Sequence, residues 1–306
     1  MATLTIESLL KRGYLPEELP PPFTSDSFAK FSAGNPTKFS SVEKEPTRLK
    51  GVDYSASKAG YRRRLFTIPH PISQFFVCKF LSENWAAVEA HYKKSKFSVS
   101  IPTPNADEKA RSITITPFHE LNALIHKRLG QFEFVAKSDI QRFYPSIYTH
   151  SIPWAVHGKA AAKADGKPNS PTVIFNKLDK CVQRGQDGQT IGIPIGPDTS
   201  RIVGEIIATS IDVLLAKTAG LKLRDCMRHV DDLYIAANSR ADAEACIASL
   251  RMALREYGLE INELKTVVTQ SSALRDDAWP RRLTKLLESY DNNFSSGLPD
   301  ILYQRN

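Results

Sequence analysis

Two adjacent carboxylates, Asp231 and Asp232, interrupt an apolar stretch in Arg228-His229-Val230-Asp231-Asp232-Leu233-Tyr234-Ile235. Cys226 to Ala237 reads as strand, tight turn, strand, with the acid pair at the turn. Like charges repel, and carboxylates flanked by apolar strand halves are poorly solvated, so such a turn is costly unless something neutralises it. A divalent cation does so economically, and hard oxygen ligands suit Mg²⁺. A solvated acidic hairpin turn is the competing reading, since Asp is an ordinary turn residue.

A second acid changes the weight of the first two. Phe132 to Ile140 is a strand-like run, and Asp139 stands near its end, before Arg142-Phe143-Tyr144-Pro145. By itself Asp139 fits a turn or a helix cap. Together with Asp231 it gives two strand-borne carboxylates, the arrangement that holds two metal ions for an in-line displacement at phosphorus. Around these strands the spacing predicts helices over 4–11, 72–93, 117–129, 150–165, 172–184, 199–217 and 240–257. Pro16, Pro20, Pro21 and Pro22 exclude helix and central strand and predict an extended strap. Residues 31–60, rich in Ser, Lys, Gly and Pro, read as loop, and Tyr144-Pro145-Ser146 as a break after the strand.

The chain has 306 residues, with 41 Lys and Arg against 33 Asp and Glu, a formal charge of +8. Residues 1–150 carry 21 basic and 14 acidic side chains, a net of +7, while 151–306 are nearly neutral. A basic N-terminal half points to a polyanion partner or to a merely soluble basic surface. No apolar run is long enough to span a bilayer, no secretory signal is visible, and the four cysteines have no paired spacing. The expectation is a reduced cytoplasmic protein with no membrane association, no zinc site and no disulfide scaffold.

The order Asp139-Ile140-x-x-Phe143-Tyr144, then Gly192-Ile-Pro-Ile-Gly196-Pro197 before a long helix, then Val230-Asp231-Asp232, resembles the palm of reverse transcriptases. The resemblance implies an α+β fold, with fingers and palm built on an antiparallel sheet backed by helices. It implies that Asp139, Asp231 and Asp232 bind two Mg²⁺ ions, with Mn²⁺ as a substitute, and that dNTPs are the substrates. Tyr144 falls on the aromatic that rejects a ribose 2′-hydroxyl, beside Ile140 and Phe143 in the nucleotide site. Gly196 falls in the loop that supports template and nucleotide. Lys265, in Gly258-Leu-Glu-Ile-Asn-Glu-Leu-Lys265, falls on the general acid for pyrophosphate, with a solvated loop lysine as the plain alternative. Arg64, in Arg62-Arg63-Arg64-Leu-Phe-Thr-Ile68, falls on the arginine that grips the triphosphate, with a basic edge strand as the alternative.

One departure narrows the resemblance. Many reverse transcriptases have Pro-Gln-Gly where this chain has Pro194-Ile195-Gly196. That form, the segment from Arg142 to Trp154 and the N-terminal Arg12-to-Phe23 segment look like the bacterial abortive-infection and defence-associated branch. The branch implies a strap and start of the fingers over 1–60, fingers over 61–130, palm over 131–270, and the start of an incomplete helical region over 271–306. It further implies DNA synthesis on RNA or without a template, in antiphage defence, with tyrosine priming, homo-oligomers, a companion non-coding RNA, and RNA or single-stranded DNA as partners. Tyr290 and Tyr303 are then priming candidates, although nothing local singles them out. Conventional retron-like or intron-like primer–template synthesis, a related palm enzyme such as a nucleotide cyclase or RNA-templated RNA polymerase, and a non-catalytic RNA-binding palm are the other readings.

Overall fold

The computed structural model describes residues 3–20, 22–35, 37–39, 48–57, 61, 63–222 and 224–276. The candidates Tyr290 and Tyr303, and most of the C-terminal region expected from residue 271, lie outside the described residues.

Helix α10, Asp198–Thr218, is buried along most of its 21 residues. We number its predecessors in chain order: α1 Ile6–Arg12, α2 Asp26–Gly34, α3 Pro71–Glu83, α4 Trp85–Tyr92, α5 Phe118–Leu129, α6 Phe143–Ser146, α7 Ser151–His157, α8 Lys159–Ala164 and α9 Phe175–Arg184. Helix α11, Arg240–Arg255, follows it. Pro197 stands at the N-cap of α10, Asp198 in its first turn and Lys217 in its last, in the sense the helix dipole favours. Helices α3, α4, α7 and α11 pack around α10.

Beside this bundle lies a four-stranded sheet. Its strands are β5 Phe134–Asp139, β6 Cys226–His229, β7 Asp232–Ala237 and β8 Val267–Gln270, in the order β6-β7-β5-β8, with every pairing antiparallel. Both faces are covered, which is why the strands read as apolar runs rather than alternating ones. Ala136, Cys226, Leu233 and Ile235 join the main core, whereas Val135, Met227, Tyr234 and Ala236 join a smaller one with Leu121, Ile125 and Leu129 of α5. Successive residues thus point to opposite faces, as strand geometry requires. The outer edge of β6 is covered by residues 97–99, through Arg228 N–H to the Phe97 carbonyl (2.9 Å) and Val99 N–H to the Arg228 carbonyl (2.8 Å).

Two smaller antiparallel pairs precede the sheet in sequence: β1 Val52–Ser57 with β2 Arg63–Ile68, and β3 Thr103–Pro104 with β4 Ile113–Thr114. Thr67 N–H donates to the Ile195 carbonyl (3.1 Å), tying β2 to the Gly192–Gly196 loop.

The structure corrects several sequence expectations. Residues 31–60 are not all loop: they hold the end of α2 and the whole of β1. The helix expected over 72–93 is two helices, divided at Asn84, whose side-chain amide takes the Phe80 carbonyl (2.9 Å). The helix expected over 150–165 is divided at Gly158, which has φ +87°. Phe143–Ser146 forms one helical turn instead of a simple break. The strap is not wholly extended: Leu19 N–H donates to the Pro16 carbonyl and Phe23 N–H to the Pro20 carbonyl, two tight turns.

Candidate active site

The ends of β5 and β7 bring the acids together. Asp139 and Asp232 are directly opposed across the antiparallel pair, so they share one face of the sheet. Asp231 is the second residue of a two-residue hairpin connection, since His229 pairs with Asp232. Its carbonyl accepts from Ile140 N–H (3.0 Å), which fastens the hairpin turn to the end of β5. Asp232 is therefore the first strand residue rather than a turn residue, because the connection itself consists of Val230 and Asp231.

The surroundings disturb the paired acids of the hairpin. Burial, then the neighbouring Asp232, push the Asp231 carboxyl up to about 6. Burial also raises Asp232, opposed by Lys137. Lys137 lies on the same face, with its ammonium 5.6 Å from the centre of the Tyr234 ring. Asp139, only 6% exposed, is bonded to the protein itself. Its Oδ2 accepts from Lys265 Nζ (2.7 Å) and its Oδ1 from Asn262 Nδ2 (3.2 Å). The bond to Asp139 raises the Lys265 ammonium above its ordinary range. Among the described residues no three His, Cys, Asp or Glu side chains converge as they stand on one metal position. The donor chemistry nonetheless fits a hard cation, with all-oxygen ligands and acids that resist ionising beside one another.

The other predicted residues fall into two groups. Tyr144 is half-buried on α6, and Gly204 of α10 makes room for it: a Cβ there would stand 3.1 Å from both Tyr144 Cε1 and Phe143 Cε1. A small cavity beside Tyr144 is lined also by Phe143, Arg201, Glu205, Val230 and Ser100. Burial holds the Tyr144 hydroxyl above the usual tyrosine range, and Arg201 opposes it. Ile140 and Phe143 lie in the core. Gly196 has φ +124°, and a Cβ there would stand 2.5 Å from Pro16, so the strap packs directly on this loop. Arg111 reinforces the junction by donating to the carbonyls of Leu15 (2.6 Å) and Gly196 (3.1 Å) and to Asp198 Oδ1 (2.6 Å). Arg64 is exposed on β2, opposite Ala56, and no bond joins it to the acids.

Sequence reasoning passed over Asn262 and Ser100. Asn262 lies within the segment that supplies Lys265, three residues before it, and its backbone N–H also donates to the Asp139 carbonyl (2.7 Å). Its place in that segment was the available signal. Ser100 Oγ accepts from Val230 N–H (2.7 Å), a pairing of 130 residues' separation that no local pattern announces.

An antiparallel sheet with acids at facing strand ends, backed by helices, is the fold of a nucleotidyltransferase palm. The reverse transcriptase (RNA-dependent DNA polymerase) family model matches residues 87–275, and the chain belongs to that family. No curated protein matches the chain. Among solved structures, the chain is similar to apo telomerase from Candida tropicalis truncated from its C-terminal domain, with 14% identity, a TM-score of 0.49, and coverage of 85% of this chain and 59% of that one. It is also similar to telomerase from Candida albicans in complex with a TWJ fragment of telomeric RNA, with 12% identity, a TM-score of 0.46, and coverage of 80% and 46%. The chain thus spans less than two thirds of these telomerase chains.

Proposed function

We propose that this chain carries the polymerase centre of a DNA-synthesising reverse transcriptase of the bacterial defence-associated branch. The observation that carries the catalytic reading is the placing of Asp139 opposite Asp232, with Asp231 in the adjoining turn. Asp139 and Asp231 would hold divalent ions, Mg²⁺ or Mn²⁺, with Asp232 as an auxiliary ligand. Bound there, such ions lower the pKa of a hydroxyl nucleophile and offset charge on the leaving pyrophosphate. The Tyr144 ring, backed by Gly204, would exclude a ribose 2′-hydroxyl. Lys265 would release Asp139 on nucleotide entry and donate its proton to pyrophosphate. Arg64, on the exposed strand β2, would reach the triphosphate through its guanidinium fork. Ile140, Phe143 and Gly196 would shape the nucleotide and template floor through their backbone and packing.

The branch reading rests on Pro194-Ile195-Gly196, on the strap that packs against Gly196, and on the segment following Asp139. With it come the division into strap, fingers, palm and C-terminal region, antiphage defence, protein priming, RNA or single-stranded DNA partners, a non-coding RNA, homo-oligomers and a cytoplasmic setting. The experiment is incubation of the purified protein with Mg²⁺ and each labelled dNTP or NTP singly, with and without a primer–template. Product from dNTPs without template supports the branch reading. Strict dependence on primer–template favours the retron-like or intron-like reading, preferential use of NTPs favours an RNA polymerase or cyclase, and no product under any condition leaves the RNA-binding scaffold.

A further inference from the structure

Arg228 is fully buried beneath the acidic hairpin. Its Nε donates to Asp212 Oδ1 (2.9 Å) and Oδ2 (3.0 Å), and one terminal nitrogen donates to Glu205 Oε1 (2.7 Å) and Asp212 Oδ2 (2.8 Å). The other donates to Glu205 Oε2 (3.0 Å) and to the backbone carbonyl of Val230 (3.0 Å). Every donor of the planar fork thus has an acceptor. Glu205 and Asp212 lie two turns apart on one face of α10. Ser95 Oγ donates to Asp212 Oδ2 (2.6 Å), helping to satisfy the two acids that share one guanidinium.

The bond to Val230 is unexpected in such a cluster, and the backbone there accounts for it. Val230 has φ +57°. The first position of a two-residue hairpin commonly takes positive φ, but Gly, Asn or Asp usually fills it, and a β-branched residue there is an outlier. Val230 is held from both sides, by Arg228 on its carbonyl and by Ser100 on its N–H (2.7 Å). The next residue is Asp231.

We propose that Arg228 is a positioning residue: anchored on Glu205 and Asp212, it holds the Val230 turn in its left-handed conformation and so sets where the Asp231 carboxylate stands. The inference rests on the proposed role of Asp231 in cation binding. Strain at a functional turn persists only where its surroundings over-determine it, and two bonds on one residue do so here.

The test is Mn²⁺ binding, read by the spectroscopic signal of free Mn²⁺, alongside thermal melting. Arg228→Lys retains the buried charge but offers three donors on one nitrogen in place of the five-donor fork that spans both acids and the Val230 carbonyl. The expected result is a folded protein whose Mn²⁺ affinity falls by about 10–100-fold, the usual effect of losing a group that orients a ligand. Adding Val230→Gly, which adopts positive φ without restraint, is expected to recover much of that affinity. Ser100→Ala, which leaves the buried charges alone, is expected to weaken binding in the same direction. Wild-type affinity in a folded Arg228→Lys variant overturns the proposal. Should Arg228→Lys fail to fold, unchanged affinity in Ser100→Ala overturns it instead. Asp231→Asn separates the two layers. If it binds Mn²⁺ as wild type does, the cation-site reading falls and takes this inference with it. If Asp231→Asn is weakened and Arg228→Lys is not, only the role of Arg228 falls.

Discussion

In the proposed mechanism Asp139 serves two uses. Its two oxygens are taken by Lys265 and Asn262, so a lysine ammonium already supplies the positive charge that a cation would bring. Lys265 is 58% exposed in its side chain, which suits the change of partner proposed for it. Lys265→Ala is expected to slow dNTP incorporation by about 10–100-fold, within the range for losing a general acid, and to flatten the alkaline limb of the pH–rate profile. Single-turnover rates across pH check this, and an unchanged profile counts against the role. Tyr144→Ala is expected to raise ribonucleotide use relative to deoxynucleotide use by about 10–100-fold, the discrimination a packed contact supplies. Competition between a labelled NTP and dNTP measures it, and an unaltered ratio removes the ring from sugar selection. Asp139, Asp231 and Asp232 were legible in the sequence because carboxylates ending apolar strands are conspicuous. Arg228 with Glu205 and Asp212 was not, because which acids a buried arginine meets is decided by packing between a strand and a helix.

At the scale of elements, the acidic hairpin depends on how α10 sits between the sheet and α4. His91 of α4 is buried, and its Nε2 donates to the Ile206 carbonyl of α10 (2.9 Å). Its Nδ1 is buried with no hydrogen-bond partner among the described residues. Burial lowers its pKa from 6.5 to about 4. The unfolded chain therefore binds a proton that the folded chain refuses, and stability falls as pH drops through the window from about 6.5 to about 4, by at most about 1.4 kcal/mol per unit. Melting temperature measured between pH 7 and pH 5 is expected to decline more steeply for wild type than for His91→Gln, which keeps a donor for Ile206 and does not titrate. Parallel declines rule His91 out as the source. Most of these elements were visible in advance: β5, the hairpin, α5, α10 and α11 have the apolar spacing of their type. Strand β1 was hidden because Val52-Asp-Tyr-Ser-Ala-Ser57 is largely exposed and is held by pairing with β2 rather than by burying a face. The split at Asn84 was hidden because the apolar spacing runs on past it.

Across the whole molecule, the basic N-terminal half is tied to the loop that precedes α10. The N-terminal half carries the excess of basic residues, and its strap and β2 are both fastened to the Gly192–Gly196 loop. No helix among the described residues is long and apolar enough to cross a membrane. Nucleic-acid affinity is expected to fall linearly on a plot of log affinity against log salt, since released counterions drive such binding. A flat plot favours the plain soluble-surface reading of the basic half over a polyanion partner. The centre itself is tested most directly by comparing wild type with Asp231→Ala, matched for melting temperature, in incorporation of one labelled dNTP at saturating Mg²⁺. Loss of this proposed ion ligand is expected to cost about a thousandfold or more in rate, roughly 4 kcal/mol of barrier. Incorporation by a folded Asp231→Ala variant at the wild-type rate would contradict the account.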